Sequence, residues 1–253
     1  MITVKTSEEI EIMAEGGRIL GNVLWKLETV AQVGVRTKEL DALAHKMIVA
    51  AGAKPAFLNY RPSGAARGYP ATLCTSVNDG IVHGIPSKYA LRERDVLKLD
   101  LGLRYKGFYS DAAVTVAVGK VSEKAKKLMA ATKMALVAGI NEAKIGKTLG
   151  DIGFAIEYVA KKNGCSVVEG LTGHGIGRAL HEDPYVLNSG RRGKGEPLKE
   201  GMVIAIEPMF AAGAGAIREL KDGSYVTMDG SLAGHFEHTI AITKDGPRIL
   251  TMV

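Results

Sequence analysis

The 253-residue chain is poor in cysteine and in large aromatics, with two Cys, one Trp and five Phe. Cys74 and Cys165 stand 91 positions apart (165 − 74) and form no metal-binding or redox pair motif. No apolar run reaches the roughly 18 residues of a membrane-spanning helix. The most apolar stretch, Met202 to Ile217, is interrupted by Glu207 and Pro208. Met1 to Glu11 carries acids where a secretory signal needs an apolar core. A Pro/Ser-rich linker is also missing, so one domain is expected over 1–253, with lobes of about 1–118 and 119–253. These absences describe a reduced, soluble, cytoplasmic protein with no membrane partner.

Charge of one sign is not abundant either. Thirty-three Lys plus Arg against 27 Asp plus Glu leave a formal charge of +6. That excess reads first as a solvated surface, and second as a weak attraction to a polyanion such as ribosomal RNA. The basic pairs Lys126-Lys127, Lys161-Lys162 and Arg191-Arg192 are not interleaved with aromatics, and DNA is not an expected partner. Hydrophobic residues at 46% and charged residues at 24% are ordinary globular values.

What is present is written twice. After Thr6 and Ser7, residues Ile10, Met13, Gly17, Leu20, Leu24 and Leu27 recur at the spacing of an amphipathic helix. A second helix is expected after Thr37, with Leu40, Leu43 and Met47 on one face and its end at Gly52. Ser122 opens a third through Leu128, Leu136 and Ile140, and a fourth runs from about Thr148 to Gly164. Gly52 and Gly164 close corresponding helices at an offset of 112 residues (164 − 52). Each helix pair is followed by a histidine turn (His83-Gly-Ile-Pro86, His181-Glu-Asp-Pro184), a strand ending in an acid motif and a strand beginning with one. The expected strand ends are Leu99–Gly102 and Ile206–Pro208; the expected beginnings are Ser110-Asp111 and Phe236-Glu237. This order predicts an α+β fold with helices covering one side of a sheet.

Strand alternation shows where the acids point. Asp111 shares a face with Ala113, Thr115 and Ala117; Glu237 with Thr239 and Ala241; Glu207 with Val203 and Ala205; Asp100 with Lys98. The bulky aliphatic residues fall on the other face in each case. Four carboxylates converging on one face repel and raise one another's pKa unless a cation lies between them, and a divalent metal is the simplest one. His174, in Gly173-His-Gly-Ile-Gly177, His181 seven residues on, and His83 in the matching turn are the candidate imidazoles. Each suits ligation or donation to a developing oxyanion. His45, His235 and His238 read as structural.

Together, His83–Pro86, Leu99–Gly102, Ser110-Asp111, Gly173–His181, Ile206–Met209 and Glu237–Thr239 resemble the type I methionine aminopeptidases, over nearly the whole chain. The resemblance implies the pita-bread fold, with two lobes related by a pseudo-twofold axis around a curved antiparallel sheet. Only 33 positions separate His174 from Glu207 (207 − 174), too few for the helical insertion of the type II enzymes. No Cys/His-rich extension precedes the first helix, so the short bacterial form is the one resembled.

That family implies a cytoplasmic monomer that removes the N-terminal methionine from nascent polypeptides, preferring a small second residue, through a metal-bridging hydroxide. Two divalent ions (Co, Mn, Fe(II) or Zn) would be held by Asp100, Asp111, His174, Glu207 and Glu237. Of these, Asp111 and Glu237 would bridge the ions, and Glu207 would also take part in catalysis. His181 would hydrogen-bond the substrate near its carbonyl and His83 would lie close to the scissile nitrogen. Tyr60, Tyr69 and Cys74 match methionine-pocket positions. Leu180 stands where Phe is frequent and Ser224 where Trp is usual; neutral repacking is the expectation, relaxed first-residue specificity the sharper alternative. A short insertion lies around Arg61 to Arg67. The implied partners are nascent amino termini and, through the mild basic charge, the ribosome surface. The rival readings are an X-Pro peptidase, which usually carries a long N-terminal domain, and a non-enzymatic relative that has lost its ligands.

Overall fold

The computed structural model describes residues 2–61 and 67–252. Four helices form where the periodicity places them: α1 (Ser7–Val30), α2 (Thr37–Ala50), α3 (Glu123–Glu142) and α4 (Leu149–Lys162). Thr6 caps α1 with a capping box, accepting from Glu9 N while Glu9 returns a bond to Thr6 N. Ser122 accepts from Ala125 N at the start of α3, and Thr148 with Asp151 closes the same kind of box on α4. The second helix of each pair gives way to a glycine with positive φ, Gly52 at 72° and Gly164 at 66°.

A nine-stranded antiparallel sheet runs through both halves of the chain. From one edge its main order is Lys54–Pro55, Val96–Tyr105, Phe108–Ala117, Glu237–Thr243, Val203–Ile206, Gly173–Gly175 and Glu182–Val186. Leu73–Val77 adds to Val96–Tyr105, and Gly246–Ile249 adds to Glu237–Thr243. The two halves meet where Glu237 pairs with Ala113 and His238 with Ala112.

The aliphatic face carries the helices. Leu97, Leu99, Leu101 and Leu103 pack with Leu20, Leu24 and Leu27 of α1 and Leu40 and Ile48 of α2. Ile204, Ile206, Ile240 and Ile242 pack with Leu128, Leu136 and Ile140 of α3 and Ile152 and Ile156 of α4. Each such side chain contributes about 1.5–3 kcal/mol through burial. The opposite face is thereby left to the acids.

Three strand boundaries differ from the sequence expectation. Leu99–Gly102 lies inside a strand that continues to Tyr105, because Lys106 and Gly107, both at positive φ, turn the chain there into the partner strand starting at Phe108. The strand Val203–Ile206 stops before Glu207, which stands just past its end. Glu182–Val186 is a strand, not a turn, because it pairs with Gly173–Gly175. Residues 62–66 of the insertion around Arg61 to Arg67 lie outside the described residues.

Candidate metal centre

Pairing register alone collects the acids. Directly paired residues point to the same side of a sheet. Ala113 pairs with Asp100 on one side and with Glu237 on the other, so Asp100, Ala113 and Glu237 form one row. Asp111, two residues before Ala113, joins the same face. A second row runs His174, Ala205, Thr239, and Thr239 is two residues from Glu237. Glu207, two beyond Ala205, completes the set. In both rows the residue between functional side chains is alanine, whose small size leaves the space open.

The glycines around His174 follow from the same geometry. A Cβ at Gly173 would overlap Ala205 O, and one at Gly175 would overlap Asp183 O. His174 therefore lies on a strand pressed between two neighbours that admit no side chain beside it. Its Nδ1 donates to Gly175 O at 2.9 Å, which leaves the Nε2 lone pair facing the acids. That Nε2 is 3.6 Å from Glu207 Oε1. One ligand atom each from Asp111, His174 and Glu237 lies within 4.8 Å of the others. Asp111 is held by Thr239, whose Oγ1 accepts from Asp111 N at 3.0 Å and donates to Asp111 O at 2.8 Å.

The electrostatics ask for a cation. Burial pushes the Asp100 carboxyl up to about 7. Asp111, Glu207 and Glu237 are also raised, by burial first and then by one another's charge. Burial holds His174 below the ordinary imidazole value. Asp111 Oδ1 and Glu237 Oε1 are buried without a hydrogen-bond partner, a state that native proteins rarely leave uncompensated. Four carboxylates and one neutral imidazole form a hard to borderline donor set that suits divalent ions. The residues present fit a metal site.

The other two predicted histidines border this buried cluster, each with part of its side chain exposed. The His181 ring lies 4.4 Å from that of His174, and its Nδ1 is 2.6 Å from Tyr60 Oη. Loss of hydration, with His174 and His83 nearby, lowers its pKa to about 3. The loop before it is fastened by Glu182, which accepts from Arg178 N, Ala179 N and the buried Lys5 ammonium. His83 has a φ of 60° and packs edge-on against Tyr225, at 5.7 Å between ring centroids. Tyr69 Oη donates to Gly84 O at 2.9 Å and so ties the His83 loop to the body of the protein.

Tyr60, Tyr69, Cys74 and Leu180 gather in one apolar cluster with Phe57 and Phe108. Ser224 is not part of it: its hydroxyl donates to Asp222 Oδ1 at 2.6 Å and closes a turn beside Tyr225. His238 bonds Thr251 Oγ1, and His45 bonds Thr72 Oγ1, away from the acids. His235, read from sequence as structural, instead has its Nε2 3.8 Å from Glu207 Oε2. Thr239, Ala113 and Ala205 were also not singled out as site residues; strand alternation put them on the acid faces but could not show which residues they pair with.

Comparison with known proteins agrees with this centre. The model of metallopeptidase family M24 matches residues 11–244. The chain is 43% identical to a methionine aminopeptidase of Clostridium perfringens, covering all of both chains. It is 46% identical to one of Aquifex aeolicus over 99% of this chain and 98% of that one. A crystal structure of methionine aminopeptidase from Thermotoga maritima superposes with a TM-score of 0.95 at 39% identity, covering both chains fully. No described helix is long and apolar enough to cross a membrane. Rows of acids that need a divalent ion, on a sheet shared with these enzymes, place the chain among the methionine aminopeptidases of metallopeptidase family M24.

Proposed function

We propose that this protein releases the first methionine from peptides with two divalent ions held by Asp100, Asp111, His174, Glu207 and Glu237. The observation that carries the reading is the row Asp100–Ala113–Glu237 with Asp111 beside it, a buried carboxylate cluster in which two oxygens lack any partner. Divalent ions bound there supply Lewis acidity, polarising a carbonyl and lowering the pKa of water.

The protein's own groups do the rest. His181 is neutral, and with the Tyr60 hydroxyl donating to Nδ1 its free Nε2–H serves as a donor to the substrate carbonyl oxygen as charge develops there. His83, also held neutral by the protein around it, faces the same solvent-open side and meets the scissile nitrogen. Glu207 is the ligand nearest solvent, its side chain 12% exposed, and its carboxylate takes a proton from the attacking water and returns it to the leaving amine. Tyr60, Tyr69 and Cys74 form the wall for the methionine side chain. The basic surface docks the enzyme on ribosomes, where amino termini emerge; co-sedimentation with ribosomes at low salt, no greater than that of a neutral control, would remove that partner.

The deciding assay uses metal-stripped protein on Met-Ala-Ser and Ala-Pro-Ser, with Mn, Co, Fe(II) or Zn restored singly. Methionine released from the first peptide alone is the expected result. Alanine released from the second would move the assignment to X-Pro cleavage, and silence with every ion in folded protein would point to a binding module.

A further inference from the structure

His235 ends the strand Ala233–His235, and its ring is enclosed, with 1% of its side chain exposed. Both ring nitrogens are buried without a hydrogen-bond partner. An imidazole in that state gives up hydration at both nitrogens and recovers neither bond, a cost that native proteins rarely leave uncompensated. Its backbone leaves the ring little freedom to escape. Thr115 Oγ1 accepts from His235 N at 2.9 Å and donates to His235 O at 2.5 Å, and His235 also pairs with Met209. The residue is thus clamped to the strand that carries Asp111, on the Asp111 face.

The ring points at one target. Glu207 is bracketed by two imidazoles, with Oε1 3.6 Å from His174 Nε2 and Oε2 3.8 Å from His235 Nε2. The two rings differ in what their other nitrogen does. His174 spends its Nδ1–H on Gly175 O, so its Nε2 is a bare lone pair. His235 has no such partner on Nδ1, so its proton is free to reside on Nε2. A movement of less than about 1 Å brings that N–H to the charge-assisted hydrogen-bond distance of a carboxylate.

We infer that His235 is a positioning residue of the centre: its Nε2–H donates to Glu207 Oε2 and holds Oε1 toward His174 and the other acids. The inference rests on the reading of Glu207 as a metal ligand. Partners of this kind are worth about 10–100-fold in metal affinity or activity.

The test compares wild type, His235→Ala, His235→Gln and His235→Leu by calorimetric Mn²⁺ titration and by kcat and KM on Met-Ala-Ser. Alanine and leucine are expected to weaken Mn²⁺ binding and lower kcat by about 10–100-fold with KM little changed. Glutamine, which keeps a donor, recovers a substantial part. In a Glu207→Gln background His235→Ala adds no further loss of Mn²⁺ affinity, because the residue through which it acts is already altered. Imidazole ¹⁵N spectra of the metal-free protein report the Nε2–H tautomer for His235. Mn²⁺ affinity and kcat of His235→Ala equal to wild type, equal behaviour of the Leu and Gln variants, or an Nδ1–H tautomer would each overturn the assignment. Failure of the wild type itself to bind Mn²⁺ and cleave the peptide would instead overturn the parent reading.

Discussion

Replacing Asp100 by asparagine removes one of the proposed metal ligands, yet it should make the metal-free protein more stable. Burial raises this carboxyl from 3.8 to about 7, so the native state holds a proton that the unfolded chain releases. Stability therefore falls as pH rises from about 4 to 7, and the whole loss is present above 7. Each pH unit between the two values is worth 1.36 kcal/mol, giving roughly 4 kcal/mol at pH 8 and about 1 kcal/mol at pH 4.5. Asparagine does not titrate and escapes the loss. Its presence also relieves Asp111, Glu207 and Glu237, each of which the Asp100 charge pushes upward. Equilibrium urea unfolding in chelator should thus show Asp100→Asn above wild type at pH 8, by far less at pH 4.5. Adding Mn²⁺ at a hundredfold excess over its Kd returns about 2.7 kcal/mol to wild type and less to the variant, shrinking the gap. A variant less stable than wild type in chelator at pH 8, or a gap that ignores pH, would refute the account of four acids held together against their own repulsion.

Three further outcomes are expected. His181→Ala should lower kcat on Met-Ala-Ser about 100- to 1,000-fold while leaving calorimetric Mn²⁺ binding intact; loss of binding would make His181 a ligand instead. Ala113→Leu fills the gap between Asp100 and Glu237, so Mn²⁺ titration should show lost affinity while urea unfolding registers an overpacking change of about 1–3 kcal/mol; unchanged affinity would mean that the row is not the binding face. Because Ser224 is bonded to Asp222 outside the apolar cluster of Tyr60 and Tyr69, methionine should remain strongly preferred over bulkier first residues in a peptide panel, and comparable rates would show that the Ser224 position opens the pocket.

Much of this was legible before the structure because it depends on local rules. Caps at Thr6, Ser122 and Thr148 and the three-to-four spacing placed the helices. Period-two alternation put Asp111 beside Ala113 and Glu207 beside Ala205, and so separated the acid face from the aliphatic one. The family resemblance, carried by those same motifs, supplied the ligand set. What alternation does not contain is register. That Ala113 lies between Asp100 and Glu237 depends on which residue of Glu237–Thr243 meets which residue of Phe108–Ala117. The same limit explains His235, whose aim is fixed by Thr115, 120 positions earlier in the chain (235 − 115). The strand at Glu182 exists only because Gly173–Gly175 comes to lie alongside it. Tyr105–Phe108 is different, since Lys106-Gly107 is a two-residue turn signal that was there to be read.

The row Asp100–Ala113–Glu237 has a consequence for how the protein is born. Its members lie 137 positions apart (237 − 100), and the strand Glu237–Thr243 inserts between Phe108–Ala117 and Val203–Ile206, both made before it. Synthesis runs from the amino terminus, so the centre of the sheet is the last of its acid-bearing strands to arrive. Until then the two flanking strands keep open edges, the form in which chains are prone to stick to one another, and the acids have no common ion to share. The molecule's most vulnerable interval ends, and its chemistry begins, with the docking of one seven-residue segment.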